Sequence, residues 1–185
     1  MELIDAIYKR RAVRSYTDGL VDRETIHTLL RAAAQAPSAI NTQPWAFAVI
    51  QDRSLLKHYS DRAKSHFLHD IAAAIPAELW DVVTDPSFNM FYNAGTLILI
   101  CAKSGDQAAA EDCCLAAQNL MLAACDLGLG TCPIGFARSW LNLPEVKAEL
   151  GIPAGYAPIT PFILGYPAES PPAVARLEPE ILFWK

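Results

Sequence analysis

Apolar positions along this chain recur at two periods, and the switches between them outline its elements. Leu3, Ile4, Ile7 and Tyr8 form one stripe at helical spacing, so residues 2–10 read as a short amphipathic helix. Thr17-Asp18-Gly19 is a turn. Asp22 then caps a second helix running to about Gln35, with Ile26, Leu29, Leu30, Ala33 and Ala34 on its buried face. Residues 45–50 form a short apolar strand. Asp52-Arg53-Ser54 opens another helix carrying Leu55, Leu56, Tyr59, Ala63 and Phe67. Residues 71–77 have a helical pattern that meets Pro76. Trp80, Phe88, Phe91 and Tyr92 then surround a Thr84-Asp85-Pro86-Ser87 turn, an irregular stretch that suits either a lid over an apolar pocket or aromatics packed at the surface. Residues 97–101 are apolar on both faces, as in a strand covered by helices on either side.

Residues 111–127 read as the longest helix, apolar almost all round, which places it deep in a core or in a subunit interface. Gly128-Leu129-Gly130 ends it. Residues 131–136 follow as a helix-to-strand loop in which Pro133 and Gly135 leave backbone bare. Pro144 opens a short helix that Gly151 closes. Residues 161–167 are a last strand and turn. An extended tail from Pro171 ends on Ile181, Leu182, Phe183 and Trp184, a terminus too apolar to stay in water unless it packs on something, a second subunit among the options.

Length and charge narrow the class. A chain of 185 residues, 52% hydrophobic and without repeats or a linker, suits one domain with a substantial core. A net charge of −5 disfavours a nucleic-acid partner. The N-terminus lacks the features of a signal or transit peptide, and the longest apolar run, residues 97–102, is too short to span a bilayer. The five cysteines include no C-x-x-C pair and fit reduced thiols in a cytoplasmic protein. His66 and His69 stand at i,i+3 spacing on a helix and read as a solvent-facing pair rather than metal ligands.

Two segments stand out chemically. Lys9, Arg10, Arg11 and Arg14 bring four cations into six residues of an acidic protein, with Val13 and Tyr16 interleaved. Such a run is either a solvated patch or, because part of it must pack, a set of guanidinium groups fixed to fork onto a phosphate. The stretch Ala36-Pro37-Ser38-Ala39-Ile40-Asn41-Thr42-Gln43-Pro44-Trp45 is braced by two prolines and rich in amides and hydroxyls. Pro37 cannot extend the helix before it, and Pro44 biases Gln43 toward extended geometry. The stretch is either a self-satisfied turn or a surface that reads the edge of a polar heterocycle.

Familiar catalytic motifs are missing. There is no P-loop, no Rossmann fingerprint, no nucleophile elbow, no paired carboxylates and no Cys–His couple. What remains favours a bound cofactor that carries the chemistry. Four blocks in order resemble the FMN-dependent nitroreductase family from about Ile4 to Arg176. They are residues 10–16, residues 36–45, Ala117-Gln118-Asn119-Leu120 leading into residues 128–135, and Leu164-Gly165-Tyr166-Pro167-Ala168-Glu169 with Arg176 downstream.

The resemblance implies an α+β fold with a central, mainly antiparallel sheet flanked by helices, and an intertwined homodimer with FMN at its interface. It implies that Arg10, Arg11 and Arg14 hold the phosphate and ribityl end, with Ala12 contributing backbone and Arg176 adding charge. On the same resemblance, Pro37, Ser38, Ala39, Asn41 and Gln43 would reach the flavin from the partner subunit, and Pro133, Ile134 and Gly135 would lie along the isoalloxazine. Interface candidates are helix 111–127 and the tail. The resemblance further implies that NAD(P)H would deliver hydride to flavin N5 and leave. A nitroaromatic, quinone or enone would then take its place, in ping-pong order and with no side chain acting as nucleophile. Rival readings are a flavin-holding or sensing protein without turnover, a relative performing reductive dehalogenation or flavin breakdown, and a structural dimer that lost its cofactor. Three departures reduce redundancy at the phosphate and ring. Ala12 stands where many relatives have Ser, Gly135 follows Ile134 where some have Glu, and Val174 and Ala175 precede Arg176 without a basic neighbour.

Overall fold

The apolar run at residues 97–101 does become the middle of a sheet. β2 (Thr96–Ala102) is buried along its whole length, in a computed structural model that describes residues 2–71 and 77–185. It pairs with β1 (Trp45–Ile50) on one side and with β4 (Ala157–Gly165) on the other, and β3 (Gly130–Pro133) lies beyond β4. All three pairings are antiparallel.

Successive residues of a strand point to opposite faces, and both faces are covered. Leu97, Leu99 and Cys101 share a core with α3 (Arg53–Ile71), α6 (Arg138–Leu141) and α7 (Pro144–Glu149). Ile98, Ile100 and Ala102 share the other core with α2 (Arg23–Ala33) and α5 (Gln107–Asp126). Each buried Leu or Ile contributes about 1.5–3 kcal/mol, so this strand is the main apolar anchor of the fold.

The helix ends follow from their caps. The Asp22 carboxylate accepts the Thr25 N–H at 2.8 Å, and Asp106 does the same for Ala109 at 2.8 Å. At the far end of α5, Gly128 takes φ 72. Its N–H donates to Cys125 at 3.1 Å, and Leu129 donates to Ala124 at 2.8 Å. This is the paired Schellman arrangement that stops a helix and re-aims the chain.

Several boundaries differ from the sequence reading. α5 starts at Gln107 rather than 111, because Asp106 caps it and the alanines after the cap propagate it. β4 starts at Ala157 rather than 161, and takes in Pro158 and Pro161. Both prolines lie past the last pairing with β3, Pro133↔Phe162, where their carbonyls accept from the Ile134 N–H and the Asn142 side-chain amide and no β3 ladder bond needs a proline N–H. Residues 130–133 form β3 and residues 135–137 a 3-10 turn, instead of a plain loop. α6 went unforeseen. α4 (Ala77–Thr84) precedes β2, and the helical pattern expected through Pro76 falls on residues 72–76, outside the described residues.

Two apolar surfaces stay exposed among the described residues. α1 (Leu3–Lys9) lies against α5 through buried Ala6, while Leu3, Ile4, Ile7 and Tyr8 are exposed. In the tail Leu182 is 84% and Trp184 89% exposed. Among the described residues no helix is long and apolar enough to cross a membrane.

Candidate functional site

The arginine-rich segment is stitched onto the sheet edge. The Val13 N–H donates to the Thr131 carbonyl at 3.0 Å, and Ala12 forms a parallel bridge with Thr131. Tyr16 bridges Pro167, and its hydroxyl donates to the Val13 carbonyl at 2.7 Å. The fit needs glycine opposite. A Cβ on Gly130 would stand 2.7 Å from the Val13 side chain, and one on Gly165 would stand 2.8 Å from the Tyr16 ring. The run is therefore partly packed, as its interleaved Val13 and Tyr16 required.

The three arginines divide between two concavities. Arg10 and Arg11 border a depression of about 410 Å³ with Met121, Cys125, Gly128 and Pro171. Arg14 instead lines a cleft of about 180 Å³ with Phe88, Tyr92, Pro133, Ile134 and Gly135. One strand edge joins the two, because residues 10–14 run beside β3 and residues 133–135 continue it.

Arg11 donates to the carbonyl of Tyr8 at 2.6 Å and to that of Arg10 at 2.9 Å, capping the end of α1. Its Nε is buried without a partner, which is unusual for a charged donor. The Arg14 guanidinium sits 5.9 Å from the Tyr92 ring centroid. Burial raises the pKa of Tyr92, and the nearby Arg14 charge opposes that rise. Burial likewise pushes the Cys132 thiol up against the pull of Arg14, so it stays protonated at neutral pH. Gly135 is exposed, and a Cβ there would meet nothing within 4 Å, so its backbone is bare toward the cleft it lines. The Ile134 N–H is already taken by the Pro161 carbonyl at 2.9 Å.

The proline-braced loop is built differently. Ile40, Asn41 and Gln43 all have positive φ, at 44°, 57° and 47°. Gln43 is thus left-handed rather than extended: Pro44 disfavours the right-handed helical region, and local hydrogen bonds select the left-handed one. Its N–H donates to the Ser38 hydroxyl at 3.0 Å, and its side-chain amide to Asn41 Oδ1 at 3.2 Å. The Ala39 N–H donates at 3.2 Å to Asp112, a carboxylate of α5 that is only 7% exposed. Pro37, Ala39, Asn41 and Gln43 are exposed and Ser38 is half-buried.

This loop does not meet the arginines within the chain. It is held at Asp112, whereas the Arg10–Arg11 depression reaches Cys125, about 20 Å further along α5 at a rise of roughly 1.5 Å per residue. Arg176 lies on the exposed tail, beyond Ala173 at the rim of that depression.

Other residues sort as follows. Of the aromatic stretch, Phe88 and Tyr92 line the cleft, Phe91 is core, and Trp80 lies outside the cleft lining. Asn89 Oδ1 accepts from the Phe91 N–H at 2.8 Å and so closes a local turn. Met90, Cys132 and Phe136 also line the cleft and went unread in the sequence. An apolar residue beside the Pro-Ile-Gly block was the available signal, and it looks the same as core. His66 pairs with Asp70 at 3.0 Å and is largely covered, while His69 is exposed. No metal-binding cluster occurs among the described residues.

Comparison with known proteins bears on this arrangement. A model of the Nitroreductase family matches residues 7–166. The chain is 31% identical over 176 residues to a protein of Archaeoglobus fulgidus provisionally named NADH dehydrogenase/NAD(P)H nitroreductase, covering 91% of this chain and 87% of that one. An FMN-dependent nitroreductase of Clostridium difficile superposes with a TM-score of 0.82 at 27% identity, over 99% of each chain. A nitroreductase of Bacteroides fragilis with bound FMN superposes with a TM-score of 0.79 at 27% identity, over 99% of this chain and 95% of that one.

Proposed function

The chain belongs to the Nitroreductase family, and from that premise we propose that it is a single-domain FMN-dependent oxidoreductase whose two flavin sites are each shared between two copies. Bound FMN would relay hydride from NAD(P)H to an electron-poor acceptor, a nitroaromatic, quinone or enone, in alternating half-reactions. The residues present fit such a group. A buried guanidinium nitrogen on Arg11 lacks an acceptor, which a phosphate oxygen would supply. The backbone at Gly135 lies open to a cleft with aromatic walls, as a flat ring requires.

The placement of these residues supports the following roles. Arg10 and Arg11 hold the phosphate beside the backbone of Ala12, with Arg176 reaching in from the tail. Arg14 lines the other cleft, so its charge serves the ribityl chain and the electron-rich edge of the ring. Pro133, Ile134 and Gly135 flank the ring, and because the Ile134 N–H is engaged, Gly135 is the available backbone donor. Pro37, Ser38, Ala39, Asn41 and Gln43 complete the site of the other copy. The uncovered stripe of α1, the exposed Leu115 of α5 and the apolar tail supply surface for that homodimer. Five free cysteines fit a reducing cytoplasm.

The observation that carries this reading is the single strand edge that presents Arg10, Arg11 and Arg14 beside residues 133–135, whose backbone is open at Gly135. Anaerobic titration with NADH and then NADPH tests it. The protein should purify yellow, bleach near 450 nm with one of the two donors, and recover colour on adding a quinone. A colourless protein that also refuses added FMN would contradict the reading, and a flavin that keeps its absorbance would favour a holder without turnover.

A further inference from the structure

One face of α3 grips both walls of the cleft. Ser60, Lys64 and Phe67 stand at i, i+4 and i+7, which puts them in line along the helix. The Ser60 hydroxyl, fully buried, accepts the Met90 N–H at 2.7 Å. The Phe67 ring lies 4.5 Å from the ring of Phe136. Between them, the Lys64 ammonium donates to the Asp85 carbonyl and, at 3.5 Å, to the Phe88 carbonyl, with the Phe88 ring centroid 5.8 Å away. Met90, Phe136 and Phe88 are all cleft-lining residues.

We infer that Lys64 is a positioning residue that sets acceptor size by pinning Phe88 across the cleft, an inference that rests on the oxidoreductase reading above. Phe88 follows a turn that closes on itself: Asp85 Oδ1 accepts the Ser87 N–H and hydroxyl, each at 2.7 Å, and the Phe88 N–H donates to the Asp85 carbonyl at 3.0 Å. That geometry points two carbonyls at one ammonium. Phe88 then meets Tyr92 edge-on at 5.6 Å, and Tyr92 itself holds φ 51, a conformation that contacts must impose. Of the three anchors, Lys64 is the one whose hydrogen bonds reach the Asp85 and Phe88 carbonyls, so it holds the Phe88 wall through the backbone. With the flavin ring along Pro133–Gly135, Phe88 borders the space left for an acceptor, so a Phe88 ring held in place favours single-ring acceptors over fused-ring ones.

The test uses the FMN-loaded protein as wild type, Lys64→Met, Lys64→Arg and Phe88→Ala, with 1,4-benzoquinone and 1,4-naphthoquinone as acceptors. Lys64→Met should leave FMN content unchanged and raise the naphthoquinone-to-benzoquinone ratio of kcat/KM about tenfold, through KM, as expected for a lost charged hydrogen bond. Lys64→Arg should restore most of the wild-type ratio. Phe88→Ala should raise the ratio similarly, and adding Lys64→Met to it should change nothing more. In parallel, amide exchange of residues 85–92 should speed up about tenfold in Lys64→Met while residues 97–101 stay protected. A ratio and an exchange rate both within about twofold of wild type would overturn the inference. If wild type reduces neither quinone, the oxidoreductase reading falls instead. Exchange then decides the pin alone, with faster exchange upholding it and unchanged exchange overturning it.

Discussion

Residues 10–16 and residues 36–45 lie near opposite ends of α5 and are rigid for different reasons. The first segment borrows its order from the sheet: Val13 is bonded to Thr131, Tyr16 bridges Pro167, and two glycines give way to their side chains. The second makes its own order, with three left-handed residues held by Ser38, Asn41 and a buried carboxylate on Asp112. A segment that completes its packing at home can line a cleft in its own chain. A loop held in strained geometry on an exposed surface, with its amides already oriented, suits a guest bound elsewhere. The difference places one half of the proposed site inside the chain and leaves the other half on its outer surface.

Substitutions should separate the two kinds of order. The largest effect is expected from Gly130→Val, whose branched side chain would collide with Val13. It should cost about 3 kcal/mol in urea unfolding and abolish FMN retention on a desalting column. Arg14→Ala removes a charged donor from an exposed position, so it should raise the FMN Kd about 10- to 100-fold with thermal stability almost unchanged. Unchanged affinity by fluorescence titration would remove Arg14 from the site. Asp112→Ala leaves the Ala39 N–H without its acceptor. It should lower stability by about 1–2 kcal/mol and weaken FMN by up to about tenfold, whereas Asp112→Asn, which keeps an oxygen, should do less of both. Equal effects of Arg14→Ala and Asp112→Ala on stability would erase the contrast between the segments.

The smallest expected effect is alkaline. Burial raises the thiol of Cys113, next to Asp112 on α5, from 9.0 to about 12, and that of Cys101 to about 11. An acid whose folded pKa is raised stabilises the fold fully below its unfolded pKa, and that contribution is lost as pH rises toward the folded value. Melting temperatures should therefore be flat from pH 7 to about 8.5 and fall by a few degrees by about pH 10. Cys113→Ala should reduce the slope, and a steeper fall in that variant would assign the loss to other groups.

Much of this arrangement could be read from residue order, and the exceptions have physical causes. The central strand was plain because β2 is apolar on both faces. The caps at Asp22 and Gly128 were plain because their chemistry is local. β3 was missed because four residues with glycine at one end and proline at the other carry no periodicity, and pairing with β4 creates the strand. Gln43 was misjudged because the residue-before-proline rule excludes one region of backbone space without choosing among the rest. The arginine run was legible as an anion site, but its division between two concavities depends on the register of Ala12 against Thr131, which is a tertiary fact. Lys64 gave no signal, since a lysine on an amphipathic helix reads as a solvated charge.

A mixed dimer tests the shared site most directly. One chain carries Arg10→Ala and Arg14→Ala, the other carries Ser38→Ala and Asn41→Ala, and two different affinity tags isolate the heterodimer. If each flavin is held by the arginines of one copy and the loop of the other, both sets of lesions fall in the same site and the second site is intact. The account predicts one FMN per heterodimer and none in either mutant homodimer. A heterodimer that binds no FMN would show that each chain builds its site alone.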